Sequence, residues 1–201
     1  MKSIVLRTML VLMALVAGSD ALAADGAGGG VFLDGRFGGT FGGSGVGNDN
    51  SETAGGADGG YLWNLDEARS LGFEVGYTHF GKLDDESGNS GRFQVSASAI
   101  SAGGHFEYLF GVDKAMVFQA RAGLTRVKFV DDFTTFFPSS SSGTDTSHES
   151  GMYFGFGVGR KFTQDFSLTL AYDHYSTNGS RPGGQANVDL GWIGLIAEYR
   201  F

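Results

Sequence analysis

Apolar and polar residues alternate with a period of two through most of the chain. Residues 189–201, DLGWIGLIAEYRF, show the pattern most plainly. Gly191, Ile193, Leu195, Ala197, Tyr199 and Phe201 fall on one face, and Trp192, Gly194, Ile196, Glu198 and Arg200 on the other. Successive side chains of a strand point to opposite faces, so this period predicts a strand with unlike faces. The same reading predicts strands over residues 31–41, 57–65, 70–80, 116–124, 152–158 and 168–174, with a further one between 92 and 109. Gly, Ser, Asn and Asp between these runs predict loops at 42–55, 81–91, 130–149 and 177–186, and short turns at 66–69, 110–114 and 163–165. The strand between 92 and 109 changes parity along its length. Its apolar residues are first odd (Phe93, Val95, Ala97) and then even (Ile100, Ala102, Phe106, Tyr108). That slip predicts a β-bulge near residues 98–101, or a longer loop.

Eight strands joined by alternating long and short connections match an up-and-down barrel with tight turns at one end and long loops at the other. Two covers are conceivable for its apolar face. A water-soluble barrel turns that face inward, and a membrane barrel turns it to lipid. The polar face decides between them, because it is rich in glycine (Gly72, Gly76, Gly103, Gly123, Gly155, Gly157, Gly159). Glycine weakens a strand and gives a solvent-facing wall nothing, whereas the narrow lumen of eight strands has room for little else. The expected fold class is therefore all-β: an eight-stranded antiparallel up-and-down transmembrane β-barrel with its aromatic face in lipid.

Composition agrees. Of 201 residues 35 are glycine and 18 phenylalanine, with only 2 prolines, which suits closely spaced strands rather than collagen or helices. Residues 1–23 read as a signal peptide: Lys2 and Arg7, an apolar run over 9–18, then Ala21-Leu22-Ala23 as a small-x-small cleavage site. The run is shorter than the ~20 residues of a spanning helix. The expected domains are thus a leader, 1–23, and a barrel, 24–201. No cysteine is present, so disulfides and thiolate metal sites are excluded. A net charge of -8 without a basic stripe argues against nucleic acid as a partner.

With glycines inward, Arg36, Glu74, Glu107, Arg121, Glu198 and Arg200 also point into the lumen. Buried charges must pair, and Arg36 and Arg121 with Glu74 and Glu107 make the economical network. It can be read as a gate or as a plug, and eight strands leave no continuous aqueous channel, which favours the plug. His79, His105, His148 and His174 are scattered one per element, so neither a metal site nor a cofactor is expected.

Three stretches carry a family resemblance: GGYLWNLDEARSLGFEVGYTHFGK (59–82), GRKFTQDFSLTLAYDHYS (159–176) and VDLGWIGLIAEYRF (188–201). They resemble the transmembrane domain of OmpA-like and opacity-type outer-membrane proteins. The resemblance implies residence in the cell outer membrane, contact with its lipid and lipopolysaccharide, and host or surface ligands at the external loops. Tyr199 and Phe201 are similar to the terminal signal read by the barrel assembly machinery. The peptidoglycan-binding domain of longer OmpA proteins is not expected here. A second resemblance is narrower. His174-Tyr175-Ser176, followed by Asp189, is similar to the His-x-Ser motif of PagL-type lipid A deacylases. It implies a lipid-facing site in which Ser176 attacks an ester, His174 is the base and Asp189 orients the imidazole. The family motif continues with Asn where this chain has Thr177, and its acid is Glu. The expected role is structural or surface-interactive, with lipid A 3-O-deacylation as the alternative.

Overall fold

A computed structural model of the chain describes residues 28–41, 52–88, 91–135, 141–181 and 184–201. The signal-peptide expectation, residues 1–23, and most of the first predicted loop lie outside the described residues. The strands are β1 (Gly29–Phe41), β2 (Glu52–Asn64), β3 (Arg69–Gly88), β4 (Gly91–Phe110), β5 (Met116–Thr135), β6 (Ser141–Lys161), β7 (Phe166–Arg181) and β8 (Gly184–Arg200). Each pairs antiparallel with its sequence neighbours, and β1 pairs with β8, so the sheet closes without a free edge. Closure satisfies the ladder hydrogen bonds, which a strand immersed in lipid has no water to satisfy.

The short connections are built by side chains that imitate backbone. Asp66 accepts from the amides of Ala68 and Arg69, each at 2.8 Å, and from Arg69 Nε at 2.6 Å. These bonds, the Arg69 side chain first among them, hold the Asp66 carboxyl below its usual range. Thr163 Oγ1 serves the turn before β7 in the same way, accepting from Phe166 N at 3.0 Å.

Several predicted loops are strand. Residues 52–55 belong to β2, and most of 81–91, 130–149 and 177–186 extends β3 to β8 past the apolar band. The bulge expected in β4 is absent. Its register against β5 runs unbroken from Gly91↔Thr135 to Phe110↔Met116. Two bulges lie instead in β3, between His79 and Gly81 and between Lys82 and Asp84. The parity slip has another cause. In the lower part of β4 the even residues face outward, as the half-exposed Tyr108 and the exposed Ile100 do. In the upper part the odd residues Val95, Ala97 and Ala99 are buried in the lumen. The strand never changes face, but the hydrophobic residues do. Within lipid the outer wall must be apolar and the lumen can be polar. Above it the outer wall meets water and the lumen takes over the apolar residues.

The result is a barrel in two storeys. Around the lower one the outer wall is a band of exposed apolar side chains, including Phe73, Tyr77, Leu124, Phe154, Phe156 and Ile193. From Met116 to Leu124 this band covers about 26 Å of strand, enough to span a tilted hydrocarbon core. In the upper storey the lumen holds a cluster of buried side chains that includes Phe80, Val95, Val127, Phe129, Tyr175 and Leu190.

Candidate functional site

The lower lumen is organised on two arginines. Arg36 of β1 donates from Nη1 to Asp173 at 2.9 Å and pairs through Nη2 with Asp58. Arg121 of β5 donates to the other oxygen of Asp173 at 3.0 Å and lies 3.9 Å from Asp58. Two guanidinium groups thus share two aspartates across the barrel, all with side chains almost wholly buried. Glycine makes the room. A Cβ on Gly76 or Gly155 would collide with the carboxylates of Asp58 and Asp173 respectively. The lumen-facing glycines are therefore the other half of the charge network.

The expected pairing of Arg36 and Arg121 with Glu74 and Glu107 is replaced by this arrangement. Glu74 is held by His105 Nδ1 at 3.0 Å and by the Tyr153 hydroxyl, which donates at 2.7 Å. Glu107 accepts from Arg200 at 2.8 Å, and Arg200 also donates to Glu198 at 3.0 Å. Gln119 donates to Glu198 at 2.9 Å. All four named residues line the lumen, in three clusters rather than one. Asp58 and Asp173 are the missing members. Both have the parity of the polar face, but each meets the arginines across strands that are far apart in the chain.

Two tyrosines join the storeys. Tyr153 and Tyr175 stack with ring centroids 5.8 Å apart. Their rings belong to the upper apolar cluster, and their hydroxyls reach down to Glu74 and, at 3.2 Å, to Arg36 Nη1, which donates. Trp192 and Ile196, both fully buried, fill the lumen beside Arg36, whose guanidinium carbon lies 5.5 Å from the Trp192 ring centre.

The outer wall carries the second candidate. His174 Nε2 lies 3.6 Å from Asp189 Oδ1, and Ser176 is the direct register partner of Asp189 across the β7–β8 ladder. The His174 ring packs 5.1 Å from that of Phe154. His174 and Ser176 oppose Phe154 and Met152 of β6, which puts them at the upper margin of the apolar band. At the other end of the barrel Tyr199 and Phe201 stand half exposed on the outer wall, their rings 4.9 Å apart.

A closed barrel of this kind, with an apolar outer band and buried charges within, has a sequence counterpart. The family model for the outer membrane protein beta-barrel domain matches residues 9–201. The chain belongs to that family. It is accordingly a protein of the cell outer membrane, and the apolar band of the barrel is its lipid-facing wall. Among solved structures it is similar to Ail, the attachment invasion locus protein of Yersinia pestis, at 14% identity over 86% of this chain and 97% of that one, with a TM-score of 0.51. Neisserial surface protein A is similar at 16% identity, over 88% and 100% of the two chains, with a TM-score of 0.50. The outer membrane protease OmpT from Escherichia coli is similar at 9% identity, over 86% and 97%, with a TM-score of 0.56. At such identities the likeness is one of fold. No curated protein matches the sequence.

Proposed function

We propose that this protein is a closed barrel whose work is done at its outer surface and not through its lumen. The observation that carries this reading is the double filling of the interior: a charge network within the membrane and an apolar cluster above it. Its long-strand end is the extracellular one, by the rule that outer-membrane barrels keep short turns in the periplasm. That end offers polar strand extensions to host or surface ligands. Its outer wall meets lipopolysaccharide, and the final strand, with Tyr199 and Phe201, is the segment the barrel assembly machinery engages. Two measurements test the reading together. In planar bilayers the purified protein gives no steady conductance. On intact cells a Thr144→Cys variant, in a chain without other cysteines, reacts with a membrane-impermeant maleimide. Large sustained openings, or a cysteine reached only after lysis, would refute it.

A second reading is favoured by the approach of His174 to Asp189 beside Ser176. In it Ser176 Oγ attacks an ester carbonyl of lipid A and forms an acyl-enzyme. The serine proton passes to His174 and on to the departing alcohol, and water then releases the fatty acid. With Nε2 turned to Asp189, Nδ1 is the nitrogen left to take that proton. Mass spectrometry of lipid A from cells with and without the protein is the test. A 3-linked acyl chain lost with the wild type and kept with Ser176→Ala establishes the hydrolase, and identical lipid A in all three strains retires it.

A further inference from the structure

The outer wall just above the apolar band differs around the barrel. On β3 to β6 the exposed apolar band ends at Tyr77, Ile100, Leu124 and Met152. Above it, one outward step beyond Tyr77 and Ile100 and two beyond Leu124 and Met152, direct register partners form a continuous row across four strands: His79, Ser98, Lys128 and His148. Arg126 sits between this row and the band, paired in register with Ser150 and Ile100. His79, Arg126, Lys128 and His148 are all exposed. Arg126 and Lys128 make no ion pair or hydrogen bond among the described residues.

Two features make this arrangement informative. The chain is strongly acidic, at -8, yet the outward residues of this row and of Arg126 and Ser150 include no carboxylate. The height is also set. Arg126 is the first outward residue beyond Leu124 on β5, so it stands where hydrocarbon gives way to headgroups. A phosphate at that level is met by a guanidinium able to bond two of its oxygens, an ammonium two residues above, and hydroxyl and imidazole donors on the flanking strands. On β7 and β8 the corresponding wall carries Asp189 instead.

We infer that Arg126 and Lys128, flanked by Ser98, His148 and Ser150, bind the phosphate of a phosphorylated lipid headgroup in the outer leaflet. This deepens the reading that the outer wall meets lipopolysaccharide and rests on it, and it is independent of whether the lumen is closed. The lipid would seat its acyl chains against Ile100, Leu124 and Met152 and hold the barrel at a defined depth.

The full chain in phosphatidylcholine nanodiscs tests this, with bisphosphorylated lipid A titrated in and bound lipid counted by native mass spectrometry. Wild type retains lipid A, and dephosphorylated lipid A binds at least about tenfold more weakly, the scale expected for two cations at an anionic membrane surface. Arg126→Gln/Lys128→Gln loses the same factor, and heat-modifiable mobility reports its folding. If the pair fails to fold, the single substitutions divide the loss between them. Lys114→Gln/Arg160→Gln removes equal charge at the turn end and leaves affinity unchanged. Equal binding by wild type and the Arg126/Lys128 variant overturns the inference. So does an equal loss in the turn-end variant, or displacement of the lipid by millimolar inorganic phosphate, which would mark a free-anion site. Neither conductance nor orientation in cells enters the readout, so its failure leaves the closed-barrel reading standing.

Discussion

Arg36→Met lowers the stability of the folded barrel by about 3–5 kcal/mol, the cost of leaving a buried ion-pair partner uncompensated. Arg36 bridges Asp58 and Asp173, and both carboxylates are buried. Methionine fills much of the same volume but leaves Asp58 with Arg121 alone, 3.9 Å away. Urea-dependent refolding into phospholipid vesicles, followed by heat-modifiable gel mobility, measures the loss. Adding Asp58→Asn to Arg36→Met recovers part of it, because a neutral amide tolerates burial better than an unpaired carboxylate. A loss below about 1 kcal/mol would place the network among exposed, solvated ion pairs and contradict its burial.

Asp34 supplies the contrast. It stands opposite Glu198 in the β1–β8 register, fully buried, with neither oxygen hydrogen-bonded among the described residues. Asp34→Asn in the same assay leaves stability unchanged or raises it. Burial depth is the same as at Arg36, so the difference between the two substitutions isolates pairing as the source of the loss.

The period of two carried the closed sheet, the strand count and the inward face, because lipid imposes one rule on every strand it touches. It misled where the surroundings change along a strand. Val127 and Phe129 alternate with Arg126 and Lys128 as regularly as any pair within the band, but with the apolar residues on the lumen face. A fixed assignment of apolar to outside cannot place such a segment, and its Ser- and Asp-rich neighbours over 130–149 then read as loop. The lumen network was half legible. Sequence put Arg36, Arg121, Asp58 and Asp173 on one face, but choosing partners needs the stagger of strands around the barrel. Arg36 and Asp173 lie 137 positions apart. The narrow space left by Gly155 shows where Asp173 goes only once the strands are wound. Conversely, His174, Ser176 and Asp189 lie on adjacent strands joined by one connection, where parity alone brings them together.

Phe129→Ala unfolds the upper storey while the lower one persists. Phe129 is fully buried in the apolar cluster, and removing such a ring costs about 3–5 kcal/mol including the cavity. In a soluble two-state domain that loss spreads through the whole fold. Here the two storeys have different supports: the lower is held by lipid and by the arginine network, the upper by its own core in water. Hydrogen exchange therefore accelerates at residues 91–99, 125–135 and 141–150 and stays slow at 102–110 and 116–124. Phe133→Ala, on the same face of the strand but half exposed near its end, changes neither set. The stacked Tyr153 and Tyr175 are a side-chain link between the two. Equal acceleration in both storeys would mean that this pair transmits the loss downward, and that the apolar cap and the charge plug form one cooperative core. Exchange confined to the upper strands would mean that the outward-facing end can loosen, or change its contacts at the cell surface, without opening the membrane-embedded barrel beneath it.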